Sequence, residues 1–482
     1  MNKKVLTVFE YLNILFMGAM LIISVTGTYH HIAWYKVSFV SAIWFGCFLL
    51  AFFVLKKCEA VLSKHKSLVL VLYLLLLFTV LIISSLICAN PPTSDYGELY
   101  ESSLGLISGG DVRWSYFAMF KNNYLLLLLL ALIRLPAYWI GFDGFYMIVV
   151  VSALCVTLTA LLVFKILEHF NLPVYICFLS LVVYALFLPL YGCTYAFYSD
   201  QATILFTVLP FYLVTSANDN KKGWWAVTKC ILAGLFTCMA YWLKATAIIP
   251  MIAFLIVFML TSLNRENARR LLIVIVAFVC FMIGFEFIWR ASPSSRMEDS
   301  HMPLVHWIAI GSHGNGGFEE NSDYAYIALA TPTIEAKKDF ALSYIKSNLS
   351  EMFSWAHILR KARHNFAAGF MGLSTYIYEE DSPAFPFLSA YGAYGGYTMM
   401  IATGMYYLLL LFNIVGSVIS VIRRKTDSTT VLGMTARLAL FGLFVFLMFW
   451  EANNRQLYNH IPWLVITGMV TFSQLFAKEK TA

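Results

Sequence analysis

The sequence predicts an all-α integral membrane protein, and three features carry that expectation. Of its 482 residues 60% are hydrophobic and only 12% are charged, whereas an ordinary soluble domain carries roughly 25% charge. Stretches such as 67–87 and 271–289 are almost uncharged, over the length of about 20 residues that spans a hydrocarbon core. The net charge of +7 is spread along the chain as short Lys/Arg groups between apolar runs. Such a pattern signals topology and speaks against nucleic acid as a partner.

Taken in order, the apolar runs are 8–28, 33–55, 68–88, 122–141, 145–167, 172–192, 201–217, 224–242, 246–262, 270–289, 394–421, 430–450 and 460–476. The basic groups are Lys3/Lys4, Lys56/Lys57/Lys64/Lys66, Lys221/Lys222, Arg265/Arg269/Arg270, Arg423/Arg424/Lys425 and Lys478/Lys480. The positive-inside rule puts each of them in the cytoplasm, so an even number of crossings must separate neighbouring groups. Five runs lie between Lys66 and Lys221. One of them does not cross, and 122–141 is the best choice, because Arg134 and Pro136 interrupt it and Asn122-Asn123 opens it. A charge at mid-bilayer costs several kcal/mol, while a segment lying against the protein keeps Arg134 at an interface.

Twelve crossings remain, with both termini inside and with 89–144, 193–200, 243–245, 290–393 and 451–459 on the outer face. The chain thus divides into an N-terminal transmembrane module (1–289, holding the outer loop 89–144), an extracytoplasmic region (290–393) and C-terminal transmembrane helices (394–482). Met-Asn-Lys-Lys before the first run reads as a retained signal anchor, since no small-residue cleavage site follows. Most of the nine cysteines sit inside apolar runs, without a CxxC or a His/Cys cluster at metal spacing. Cys88 and Cys193 face the outer side, where a disulfide between them is one option. No repeat relates the two halves, which weighs against an inverted-repeat transporter.

Polar chemistry concentrates on the outer face. In Pro91-Pro92-Thr93-Ser94-Asp95-Tyr96-Gly97-Glu98 the prolines end one helix, and Asp95 with Glu98 resembles a capping-box start for a short interfacial helix. Asp95 is either an N-cap or a carboxylate poised to take a proton from an acceptor hydroxyl. Asp200, in Tyr198-Ser199-Asp200, faces the same alternatives at the next outer turn. Lys244 lies in a very short turn and Arg455 in another; each snorkels to the headgroups or clamps a lipid phosphate. Glu286, near an outer helix end, is either paired or functional. The Gly-rich stretch 311–317 is not a P-loop, and histidines there, His306 included, read first as structural.

An acidic residue early in the first outer loop, a short amphipathic helix, Gly110-Asp111 and Tyr116-Phe117 … Phe120-Lys121-Asn122-Asn123 together resemble the GT-C superfamily of membrane glycosyltransferases. Within it the chain looks most like bacterial multi-spanning members of the protein mannosyltransferase and aminoarabinose transferase type. Those carry Tyr-Pro-Asn-Asn here, with Lys121 in place of the proline in this chain. Tyr198-Ser199-Asp200 resembles their second acidic site, and Lys244-Ala245-Thr246 their Lys-Pro-Thr without its proline. His306-Trp307 with Gly316-Gly317, and Asn454-Arg455 … Tyr458, also fit.

The resemblance implies a GT-C-like bundle in a bacterial plasma membrane, its active site extracytoplasmic, acting as an inverting transferase on a polyprenyl-phosphate-linked sugar. Asp95 and Asp200 become the catalytic carboxylates. Lys244 and Arg455 hold the donor phosphate, and Glu98, Asn122, Asn123, His306 and Tyr458 bind substrate. The acceptor is a glycan or lipid at the cell surface, and a donor synthase and a flippase are implied partners besides membrane lipids. No cofactor follows from the sequence, and a divalent cation is left open. Two other readings compete. A polysaccharide polymerase or ligase relies on arginines and histidines in a large outer loop, and a flippase or transporter on ionisable residues at mid-bilayer, of which the apolar runs show little.

Overall fold

The computed structural model describes residues 3–27, 33–217, 223–261, 264–373, 377, 379–389, 391–423 and 427–477. Lys221/Lys222, Arg424/Lys425 and Lys478/Lys480 lie outside these residues. The described chain is helical, with no strand among the described residues. Its principal helices, in order, are α1 (Lys3–Thr26), α2 (Trp34–Lys57), α3 (Lys66–Cys88), α4 (Ser94–Ser108), α5 (Tyr124–Trp139), α6 (Gly144–His169), α7 (Val174–Ala185), α8 (Gly223–Leu243), α9 (Ile249–Thr261) and α10 (Arg265–Arg290). The segment 290–393 adds α11 (Ser322–Ala330), α12 (Ile334–Ser347) and α13 (Trp355–Phe366), and α14 (Gly395–Arg423), α15 (Ser428–Phe449) and α16 (Ile461–Phe476) complete the bundle.

Among the described residues, nine helices are long and apolar enough to cross a membrane: α1, α2, α3, α5 with its leading turn, α6, α8, α10, α14 and α15. The runs 172–192, 201–217 and 246–262 are not single regular helices, 460–476 is one helix of 16 residues that follows a 3-10 turn, and proline marks the start of each new helix. Pro189 opens Leu188–Cys193 after α7 has stopped, Pro210 opens Leu209–Ser216, and Pro250 and Pro462 sit in the first turns of α9 and α16. Proline lacks an N–H and clashes with the preceding turn, so it fits the first turn of a new helix rather than the middle of an old one. Non-helical backbone at membrane depth persists only when protein covers it or it lines a cavity. The broken stretch Thr194–Tyr198 is fully buried.

Side-chain contacts set the helix directions. Lys66 pairs with Glu168, and Tyr184 of α7 reaches the Val156 carbonyl of α6 while Tyr73 of α3 reaches that of Leu181. α3 and α6 are therefore antiparallel, and Cys88 and Gly144 end at the same level. The chain between them leaves and returns at one end. α5, long and apolar enough to span, runs beside α4: Arg134 is buried, donates to Tyr100 O at 2.5 Å and Ser103 Oγ at 2.8 Å, and lies 4.0 Å over the Tyr100 ring. Gly144 makes room for it, since a Cβ there would sit 2.7 Å from Arg134 Nε.

The apolar runs are less free of charge than their sequence suggests. Glu10 of α1 and Arg437 of α15, both about 1% exposed, form a bidentate pair (3.0 and 2.5 Å), with Ser417 Oγ donating to Glu10 at 2.5 Å. Asn13 adds bonds of 2.8 Å to Asn413 and Ser417, tying α1 to α14. A lone buried charge is very costly, which is why these come as a hydrogen-bonded set.

One apolar core runs through the bundle, a second, smaller one in the segment after α10 gathers Met302, Ala309, Ile310, Tyr324, Ala325, Ala328 and Ala341, and Leu6, Val257 and Met434 form a third. Trp307 joins the first two by packing 6.2 Å from the Phe120 ring. All nine cysteines are free, Cys88 and Cys193 among them. Both thiols are buried in the main core as small apolar groups, so the disulfide option falls.

Candidate functional site

Asp95 lies in the first turn of α4, whose N-cap is Thr93 and has no side-chain capping bond. The residue before it, Ser94, has φ +50°, a left-handed conformation that costs an L-residue roughly 1–2 kcal/mol. The carboxylate that follows turns inward and is no cap. It accepts a hydrogen bond from Tyr198 Oη at 3.1 Å and another from the Tyr116 hydroxyl. Tyr116 in turn accepts from Asn123 Nδ2 at 2.6 Å, so Asn123 orients a donor from behind. Burial, with Tyr198 and Asp95 alongside, raises the Tyr116 phenol and keeps it protonated.

Asp200 is fully enclosed in the short helix Ser199–Thr203, again without a capping role. The Lys244 ammonium pairs with Oδ1, and Arg455 Nε stands 3.7 Å from Oδ2. Lys244 sits where α8 ends and the chain turns into α9, and its side chain reaches inward to Asp200 rather than out to the headgroups. Burial lowers its pKa, with Asp200 opposing the shift. The Arg455 guanidinium lies 5.2 Å from the Tyr198 ring centroid. Tyr198 therefore joins the two carboxylates, its hydroxyl on Asp95 and its ring under Arg455. Gly372, at φ +83°, lets the backbone pass against Arg455, whose Cβ would be 2.3 Å from a Cβ at that position.

Glu451, half-buried in the loop before Arg455, is a third carboxyl here. Burial raises its pKa, the charges of Arg455 and Lys244 oppose this, and Asp95 adds to it. The Gly-rich stretch braces that loop: Gly316 O accepts from Ala452 N at 2.7 Å, Asn365 Oδ1 accepts from Asn453 N at 2.9 Å, and the buried Lys361 donates to Gly311 O at 2.5 Å. Residues from four distant parts of the chain thus meet in one polar cluster.

The remaining sequence candidates divide. Asn122 bonds to Asn123 at 3.1 Å, and Tyr458 is fully buried in the turn Asn454–His460. Glu98 pairs with Arg113 at 2.5 Å. His306 is placed in the second, smaller core against Tyr324 Oη (3.2 Å), with burial lowering its pKa to about 4, and it does not touch the carboxylates. Glu286 is paired, to Lys121 at 2.7 Å and Arg290 at 3.2 Å. Sequence reasoning missed the parts played by Tyr116, Tyr198, Glu451 and Lys361; the glycines at 311–317 were the available signal for the last two. Among the described residues no three His, Cys, Asp or Glu side chains gather as a metal-binding group.

With this geometry in place, the comparisons with known proteins add one finding. Residues 4–476 match the family described as conserved hypothetical integral membrane protein. The chain belongs to that family. It is an integral, multi-pass membrane protein, and the match takes in every residue of the cluster. No curated protein matches, and no solved structure does.

Proposed function

We propose that this chain is an inverting glycosyltransferase of GT-C type, transferring a sugar from a polyprenyl-phosphate donor to an extracytoplasmic glycan or lipid acceptor. The supporting observation is the convergence of Asp95, Asp200, Lys244 and Arg455 through Tyr198. In this reading the bundle makes twelve crossings of a bacterial plasma membrane, some of them by broken helices, and the cluster lies at its outer side. Asp95 takes the proton of the acceptor hydroxyl as that oxygen attacks the sugar C1. The C1–O bond to phosphate breaks, its electron pair leaves with the polyprenyl phosphate, and Lys244 and Arg455 meet the added negative charge. Asp200 fixes the two cations. A donor synthase and a flippase supply the substrate. The test is to incubate purified protein with a panel of radiolabelled polyprenyl-phosphate sugars and score sugar release or transfer; release that depends on Asp95 is expected, and a panel left intact sinks the reading.

A second reading, a polysaccharide polymerase or ligase, draws on the outer region. There His313 and Arg360 both pair with Glu351 at 2.7 Å, and His357 Nδ1 meets Gly314 O at 2.9 Å. It predicts products of graded length and loss of activity in Arg360→Ala, while the leading reading predicts single-sugar addition.

A further inference from the structure

Both cations proposed to meet the donor phosphate are already engaged. Lys244 pairs with Asp200 and Arg455 faces its other oxygen, and Asp200 is sealed from solvent. The second Asp200 oxygen, though buried, has no hydrogen bond. Asp95 and Glu451 bring the carboxyls to three against these two cations. Lys361, on α13, also acts on Glu451 but carries its proton only in part near neutral pH, since burial lowers its pKa to about 7. An arriving phosphodiester therefore adds a negative charge to a set that already holds an excess of them. Like charges within about 4–6 Å disfavour one another's ionised forms, the more so away from water.

We infer that Glu451 takes up a proton when the anionic head group of the donor enters the cluster, so that phosphate is bound by a charge-balanced set. The inference rests on the donor reading given above. The three carboxyls are not equivalent. Asp200 pairs directly with an ammonium, and Asp95 accepts from two phenolic hydroxyls. The Glu451 carboxylate receives no hydrogen bond among the described residues, its backbone carbonyl alone accepting from Gln456 Nε2 at 3.3 Å. The charged groups acting on it are Arg455 from its own loop, Lys244 from the turn after α8, Asp95 from α4 and Lys361 from α13. His460, on the turn with Arg455, feels Lys244 as well. Glu451 is thus the carboxyl with least to lose by protonation and most to gain, being half-buried and already pushed upward by burial. Its role is that of a positioning residue that sets the charge of the phosphate site.

The probe is farnesyl methyl phosphate, a diester without a titrating group near neutrality, added to the purified full-length chain in nanodiscs. Calorimetric titration at pH 7 and pH 8, in buffers of different protonation enthalpy, counts protons directly. Uptake approaching one proton per probe bound is expected, with affinity falling toward tenfold across that pH unit. Glu451→Gln should bind with neither the uptake nor the pH dependence, while Lys361→Met keeps both. Binding without proton uptake, or uptake lost in Lys361→Met and kept in Glu451→Gln, overturns the assignment and leaves the phosphate reading standing. Absence of any probe binding by the wild-type chain removes that reading itself.

Discussion

Asp95 and Lys244 are the residues at which the proposed chemistry is most exposed to test. General-base assistance contributes about 10²–10⁴-fold. Asp95→Asn keeps the shape and still accepts from Tyr198, so the fold should persist, with unchanged melting temperature and elution profile, while transfer falls at least about a hundredfold. Wild-type transfer by this variant would move the base elsewhere, with Glu98 and Asp200 next in line. Lys244 is a sharper case because its partner is sealed in. Lys244→Met removes the ammonium that pairs with the sealed Asp200 carboxylate and leaves only Arg455 at 3.7 Å, a loss of up to about 3–5 kcal/mol. Adding Asp200→Asn should restore most of that stability in a thermal unfolding assay without restoring donor binding. A Lys244→Met protein as stable as wild type contradicts the buried pair.

Among the elements, the broken helices and the first helix carry the main lessons. The breaks after Ala185, Thr203 and Leu243 look like defects when counted as spans, yet they bring Asp200 and Lys244 to the protein interior, where an unbroken helix would pass. The first helix is fixed differently, through Glu10 and Arg437. Glu10→Leu and Arg437→Leu should each cost about 3–5 kcal/mol, since each strands a buried charge, and the double variant should cost much less than their sum. A thermal-unfolding cycle in detergent measures this, and additive losses would show that the two groups do not depend on each other.

For the whole molecule, the return of the 89–143 segment to the end it left is the central topological point. With the exposed native cysteines replaced, a cysteine at Asp143 or Lys346 should react with an impermeant maleimide in intact cells, and one at Lys57 only after permeabilisation; all three positions are exposed. Labelling of position 143 only after permeabilisation would make α5 a crossing. The membrane class was legible in advance, because hydrocarbon length and the placement of Lys and Arg are local properties of the chain, and the non-crossing of 122–141 is the expectation that this labelling tests. Also legible were Asp95, Asp200, Lys244 and Arg455 as candidates, each in a break between apolar runs. The breaks at Pro189, Pro210 and Pro250 were visible as letters, but their effect was masked by the apolar residues on either side. What only the tertiary structure decided is pairing: that Lys244 reaches inward to Asp200 rather than out to the headgroups, that Glu10 meets Arg437 across the bundle, and that Tyr198 links both carboxylates while His306 stays in the second, smaller core. A single sequence records where a charge enters the chain, whereas its partner is set by which helix faces pack, and that depends on contacts hundreds of residues apart.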